Sequence, residues 1–364
     1  MNTTTEPELG KETSAIEAIR QKEKWFTRIV KMQAFQIFLV LLVLVVVFSL
    51  LAPDTFAQFS NLRLVVQNAS ILAVLGVGMT YVIITSGIDL SIGSVLVFSG
   101  VVSAIVMRQV GGDNWGVAAI GIAVSIVLGI LWGVLNGVLV AKAKVPPLIV
   151  TLGSLGMALG GAQILTGGVD LRDVPSVLTE SIGYGNVFGS IPLISVIALV
   201  VIVLGAIVLH RTRFGLHTYA VGSSEEAARR VGVRVDRHLI RIYALSGGLA
   251  GLAGILSLSQ FSTTAIAGQS QTNLNVIAAV VIGGTSLFGG YGTIFGTVVG
   301  LFIPAVLQNG FVITGVQPFW QQVAVGAVLI AAVYIDQVRR SSTRRGNSQK
   351  NRKWPIFGRK SPPQ

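Results

Sequence analysis

The sequence predicts an all-α polytopic membrane protein: about ten transmembrane helices, some broken at glycine-rich segments, with both termini cytoplasmic. Three observations predict it. Hydrophobic residues make up 52% of the 364 and charged residues only 12%, about half the charge of a soluble domain. Apolar runs of bilayer length recur along the chain. The basic residues gather in a few places between those runs. The first observation excludes a disordered chain and argues against a soluble enzyme.

A helix needs about 20 mostly apolar residues to cross a bilayer. The run 34–52, AFQIFLVLLVLVVVFSLLA, is the clearest. It is too long and uninterrupted for a signal-peptide core, and no small-residue cleavage site follows it before Pro53. It reads as a retained first span. Further spans are expected at 67–86, 91–108, 117–141, 147–166, 190–209, 241–260, 274–290, 294–312 and 319–337. Many of the 43 glycines fall inside these runs. In a bilayer, small residues let helices approach closely. Gly76, Gly78, Gly156, Gly160, Gly161, Gly247, Gly248, Gly251 and Gly254 read as such packing positions. The chain thus divides into a cytoplasmic tail (1–33), a transmembrane domain (34–338) and a basic cytoplasmic tail (339–364).

The net charge of +12 is local. Of the 27 Lys and Arg residues, 24 lie in four groups: residues 1–33, Lys142 with Lys144, 210–241, and the stretch after Ile335. Cytoplasmic loops are enriched in Lys and Arg. With the N-terminus inside, ten spans put all four groups on the cytoplasmic side. The same count puts 53–66, 109–116 and 167–189 outside. The basic tail fits anionic membrane lipid; no folded module accompanies it to present it to nucleic acid.

The chain has no cysteine, which excludes disulfides, Cys-ligated zinc and thiol catalysis. Its three histidines, His210, His217 and His238, share one basic stretch and read as solvated loop residues. No G-x-x-x-x-G-K-[ST] occurs, and no His or acidic pair has metal-ligand spacing. A proton- or sodium-driven transporter keeps several intramembrane ionisable groups. Here Asp89 alone lies outside an evident aqueous loop. The chain supplies neither the chemistry nor the energy source.

Asp89 sits in Thr85-Ser86-Gly87-Ile88-Asp89-Leu90-Ser91-Ile92-Gly93-Ser94. The Gly and Ser neighbours predict a helix break, which is tolerated where it is buried or lines a cavity. The carboxylate either caps the following helix or takes part in a translocation path. A second break runs from Ile282 to Gly292 and includes Gly283, Gly284 and Ser286. Shifted by 197 positions it overlays the first: Gly284 on Gly87, Leu287 on Leu90, Gly290 on Gly93. Corresponding breaks in two halves of a transporter point towards the substrate pathway.

The loop 210–240 holds a third feature. Gly222 is expected to break the chain, and Ser223 or Ser224 to cap a helix of about two turns. Glu225 and Glu226 fall in its first turn, Ala227 and Ala228 in its middle, and Arg229 and Arg230 in its last. Gly232 stops it. Such a helix is not stable alone in water. It must dock, on its own membrane domain or on a separate cytoplasmic protein.

Four stretches together carry a family resemblance: TSGIDLSIGS (85–94), NGVLVAKAKVPPLIVTLGSLGMALGGAQILTGG (136–168), YAVGSSEEAARRVGV (219–233) and IAAVVIGGTSLFGGYGTIFGTVVG (277–300). The chain resembles the ribose/xylose-type permease subunits of bacterial ABC importers, in order from about residue 56 to residue 338. The resemblance implies a transport subunit of the bacterial inner membrane, not an enzyme. It implies a second permease subunit, identical or closely related, and an extracytoplasmic sugar-binding protein. It also implies a cytoplasmic ABC ATPase that uses ATP and Mg, so this chain binds no cofactor. Gly222 to Gly232 would be the coupling helix to that ATPase. The cargo would be a monosaccharide such as the pentoses ribose or xylose. The alternatives are a nucleoside, a branched-chain amino acid or an autoinducer sugar on the same scaffold, or a stand-alone secondary transporter. Many relatives carry acids just before the IAAVV stretch, where this chain has Asn273 and Asn275. Polar groups that suit a sugar path are Thr85, Asp89, Ser91, Asn136, Thr151, Gln163, Gln260, Asn273, Asn275, Ser286 and Asn309, with Gly87, Gly283 and Gly284 at the breaks.

Overall fold

Helices are the form in which a single apolar segment satisfies its own backbone in lipid, and helices dominate. The computed structural model describes residues 33–266, 271–317 and scattered positions between 319 and 334. The expectations for both tails, and for most of the last span, lie outside the described residues.

The described helices are α1 (Gln33–Leu51), α2 (Phe59–Ile84), α3 (Ile92–Val110), α4 (Trp115–Ala141), α5 (Pro147–Thr166), α6 (Leu193–Arg211), α7 (Arg213–Ser223), α8 (Glu225–Arg230), α9 (Val235–Phe261), α10 (Thr272–Ile282) and α11 (Ile294–Ile313). A short helical turn over 176–183 lies between α5 and α6. It is followed by an antiparallel ribbon of β1 (Asn186–Val187) and β2 (Ile191–Pro192). Seven helices, α2 to α6, α9 and α11, are long and apolar enough to cross a membrane. α1, apolar over Phe35–Leu51, and α10 are shorter.

Local chemistry sets the ends. α4 starts where the Asn114 side chain accepts from the Gly116 and Val117 amides, a side-chain N-cap. α5 starts on Pro147 and stops at Gly167, which is left-handed; its bounds are those expected from the sequence. α11 starts where Thr293 accepts from the Gly296 amide.

α4 and α9 form the centre and cross on small residues. A Cβ on Gly133 would lie 2.1 Å from the Tyr243 carbonyl, and one on Gly251 would lie 2.2 Å from the Ser125 carbonyl. The helix backbones themselves are in contact, as small residues allow in lipid. Around them Leu75, Met79, Leu96, Ile255 and Val280 form the main core. α1 packs through Phe48 against Phe56, Val65 and Val306. Gly156 and Gly160 correct the expectation for this chain: nothing lies within 4 Å of a Cβ at either, because that face of α5 is exposed.

Three boundaries also differ from expectation. α2 begins at Phe59 rather than 67, and α9 at Val235 rather than 241. α9 therefore takes in His238, which is 5% exposed and whose Nε2 lies 3.0 Å from the Thr218 hydroxyl. It is a buried helix residue, not a solvated loop one; His217 is half-buried and His210 exposed. The expected span 274–290 is the third. α10 ends at Ile282, and 283–293 is not helical. Eleven residues rise about 16 Å, half of a ~30 Å hydrocarbon core. α10 starts level with the first turn of α3, since the Gly93 amide donates to Asn273 Oδ1 at 2.6 Å. It is a half-helix that begins inside the bundle. The basic loops 142–146 and 210–240 and both glycine breaks lie at one end of the bundle, called here the basic end.

Candidate coupling junction and cavities

α2 and α10 end in the same way. Ser86 and Gly284 both have left-handed backbone, with φ of 62° and 94°. The Gly87 amide donates to the Val82 carbonyl and the Ser86 amide to that of Ile83. In the second break the Thr285 amide donates to Val280 and that of Gly284 to Val281. This paired bonding is a Schellman ending. Equivalent residues are therefore 198 apart, one more than the sequence overlay. The two breaks also touch: the Gly290 amide donates to the Ile84 carbonyl at 2.8 Å, and the Ser86 hydroxyl donates to the Phe288 carbonyl at 2.9 Å.

The end of α7 completes the junction. Gly222 does not break the chain; it lies within α7, and the chain turns at Ser224. Its glycine identity has another cause. A Cβ there would sit 1.7 Å from the Ile84 carbonyl and 2.7 Å from the Gly290 amide, so only glycine fits against both breaks at once. The Tyr219 hydroxyl donates to the Gly292 carbonyl at 2.6 Å. Burial, with Tyr291 nearby, pushes that hydroxyl up to about 12, so it stays a donor at neutral pH.

α8 follows directly. Ser224 Oγ accepts from the Ala227 amide at 3.2 Å, as a capping residue should. The helix has six residues, nearer one and a half turns than two. Glu225 pairs with Arg229 at 2.8 Å, and Glu226 pairs with Arg230. Gly232, with φ 87°, stops the helix. Ala228 is buried against Val221, Val235 and Leu239, so one face docks on the chain's own membrane domain. Glu226, Arg230 and Val231 are exposed on the remainder.

Asp89 stands behind the first break and is 2% exposed. Its Oδ1 accepts from the Ser91 amide at 2.9 Å and from the Ser91 hydroxyl at 2.6 Å. Its Oδ2 accepts from the Ser246 hydroxyl at 3.3 Å. Asn136 donates to Ser91 Oγ at 2.9 Å, and Thr151 to the Ile88 carbonyl at 3.0 Å. A buried charge is costly unless it is hydrogen-bonded. Three donors and the N-terminus of α3 supply that here. Asp89 binds Ser91, the residue before α3, and Ser246 of α9, and so braces the start of α3 against α9.

Two cavities flank the first turn of α10, towards the end opposite the basic one. One, of about 320 Å³, is bordered by Asn68, Gln271, Asn275, Gln308 and Asn309. Gln260 stands behind Asn68 and donates to its Oδ1 at 2.6 Å. The other, of about 260 Å³, is bordered by Ser94, Gln163, Asp170 and Asn273. The expected path residues therefore divide among four places. Gln260, Asn275 and Asn309 gather at the first cavity, and Gln163 and Asn273 at the second. Asp89, Ser91, Asn136 and Thr151 form the brace, while Thr85, Gly87, Gly283, Gly284 and Ser286 belong to the breaks. Asn68, Gln271 and Gln308 were not expected. Their signal is a pair or cluster of amides within or beside an apolar run, as in Gln67-Asn68 and Gln308-Asn309.

Comparison with known proteins matches residues 61–333 to the family described as "Branched-chain amino acid transport system / permease component". The ribose import permease protein RbsC of Escherichia coli K12 is 36% identical over 302 residues, covering 81% of this chain and 91% of its own. That of Bacillus subtilis 168 is 38% identical over 307 residues, covering 84% and 93%. The D-allose transport system permease protein AlsC of Escherichia coli K12 is 31% identical over 330 residues, covering 90% and 98%. No solved structure matches.

Proposed function

The chain belongs to the branched-chain amino acid transport system / permease component family, and from that premise we propose that it moves a monosaccharide through the membrane as one subunit of an ATP-driven importer. It is an inner-membrane transport subunit and not an enzyme. A separate ATPase, with ATP and Mg, supplies the energy. A sugar-binding protein delivers the cargo from outside, and a second permease subunit completes the pathway. The cargo is a pentose, ribose or xylose. The ribose permeases among the relatives support this choice.

The observation that carries the proposal is the three-way junction. α8 is short, capped and half exposed at the basic end. It is joined directly to the α7 turn that both glycine breaks grip through backbone contacts. A push on α8 reaches α10 and α11 through the second break, while the braced first break holds the start of α3. Packed contacts of this kind shift between discrete arrangements rather than flex. Alternating access follows when the ATPase closes and moves α8. The positive-inside rule places this end in the cytoplasm, where the ATPase is.

The test is uptake of radiolabelled D-ribose into proteoliposomes holding the permease, the ATPase encoded beside it and its binding protein. ATP-dependent uptake is expected. Uptake that persists when the ATPase is omitted would contradict the proposal.

A further inference from the structure

The amide-bordered cavity between α2, α10 and α11 has no task in the coupling junction, which lies at the other end of the bundle. Asn68 comes from α2, Gln271 and Asn275 from the start of α10, and Gln308 and Asn309 from the end of α11. These are five carboxamides and no charge. Each carboxamide offers two N–H donors and a carbonyl acceptor, and adjacent sugar hydroxyls need that mixture.

Part of this capacity is unspent. Gln260, which is 8% exposed, stands behind Asn68, outside the lining, and spends its amino group on it. On the border itself, the Asn275 Oδ1 is buried without a partner. Buried polar groups are nearly always paired, and an unpaired one calls for a ligand or water. Asn309 is partly committed: its amide and that of Asn61 donate to each other at 2.8 and 3.0 Å. The apolar wall is supplied by Ile71, Leu72, Ala305 and Val312, the kind of surface that covers the ring face of a sugar. Nothing in the lining selects for an anion or a cation.

We propose that this cavity is a transient binding site for a neutral monosaccharide, with Asn68, Asn275 and Gln308 reading its hydroxyls before the half-helix α10 admits it further. The inference rests on the importer reading above. The absence of native cysteine allows a direct test that needs no transport.

Val312→Cys places a single thiol on the cavity border, at a residue 65% exposed. Its labelling by a small maleimide is measured on the purified full chain in nanodiscs, with saturating D-ribose or with glycine as an uncharged-overall control. Ribose is expected to slow labelling several-fold, and glycine to leave it unchanged. Equal rates in all conditions would overturn the site, as would slowing by both solutes. In the assembled importer, Asn275→Leu and Gln308→Leu are each expected to lower the sugar moved per ATP hydrolysed by about tenfold, the effect of one lost polar contact. Asn275→Gln and Gln308→Asn should retain part of it. An unchanged ratio in the leucine variants would also overturn the site. Lack of ATP-dependent uptake by the wild type would sink the importer reading instead, while the labelling result would stand or fall by itself.

Discussion

The two glycine breaks share one ending and differ in everything after it. The first, 85–91, is short and walled in. Asp89 holds Ser91 and Ser246, Asn136 holds Ser91, and Thr151 holds the Ile88 carbonyl. The second, 283–293, is longer. It turns on itself through the Ser286 amide and the Tyr291 carbonyl and leaves Phe288 and Tyr291 exposed. Tyr219 ties it to α7, whereas Gly222 fits against both breaks and most closely against Ile84 at the first. The first break is built as a fixed brace and the second as a part that follows α7. Identical helix endings thus serve opposite mechanical purposes, decided by which side chains surround them.

Gly222→Leu should do most to erase this difference, because it forces α7 away from both breaks. Overpacking against backbone should cost about 3 kcal/mol. The expected result is a clearly lower melting temperature in detergent and no uptake. A variant with wild-type stability would show that the junction opens freely.

Asp89 tests the brace alone. Asp89→Leu strands the buried donors of Ser91 and Ser246 and should cost about 2 kcal/mol. Asp89→Asn keeps an acceptor for Ser91, and the Ser246 hydroxyl can turn to accept from the new amide. Its cost should stay below about 1 kcal/mol, with uptake largely kept. If Asn were as damaging as Leu in transport but not in melting, the charge itself would serve the path and the brace account would fail.

Phe288→Ser probes the second break. The ring is 54% exposed, so stability should change by no more than about 0.5 kcal/mol. Uptake should nevertheless fall several-fold. Loss of stability without a transport defect would reverse the roles assigned to the two breaks.

The smallest effect lies away from both breaks, at the opposite end. The Ser176 hydroxyl and the Val177 amide hold the Asp113 carboxyl below the usual carboxylate range. A lowered value means that its contribution is present above the unfolded value and is lost as pH falls through the folded one. Amide exchange at Val177 should therefore be slower in wild type than in Asp113→Asn at pH 6. The two should converge once the pH falls below the lowered folded value of Asp113. A difference that persisted there would assign the protection to something else.

Much of this was legible in the sequence because its cause is local. α5 is bounded by a proline and a glycine, and α8 by a capping serine and a stop glycine; each signal sits beside the element it ends. What escaped has causes distant in the chain. Gly222 reads as a breaker, but the atom that demands glycine is the Ile84 carbonyl, more than a hundred residues earlier. α10 reads as a full span because hydropathy continues through Leu287 and Phe288, whereas the Schellman turn at Gly284 ends the helix. Asn68, Gln271 and Gln308 form no pattern until three helices bring them together. His238 was misplaced because α9 begins one and a half turns before its apolar run.

α8 and the second break should move together when the ATPase binds ATP. Spin labels at Val231→Cys and Phe288→Cys, both exposed positions, report the distance between them. A second pair at Val231→Cys and Leu131→Cys reports the motion of α8 against α4. On ATP binding by the assembled importer, the first distance should hold and the second should change. A first distance that shifts while the second stays fixed would contradict the account.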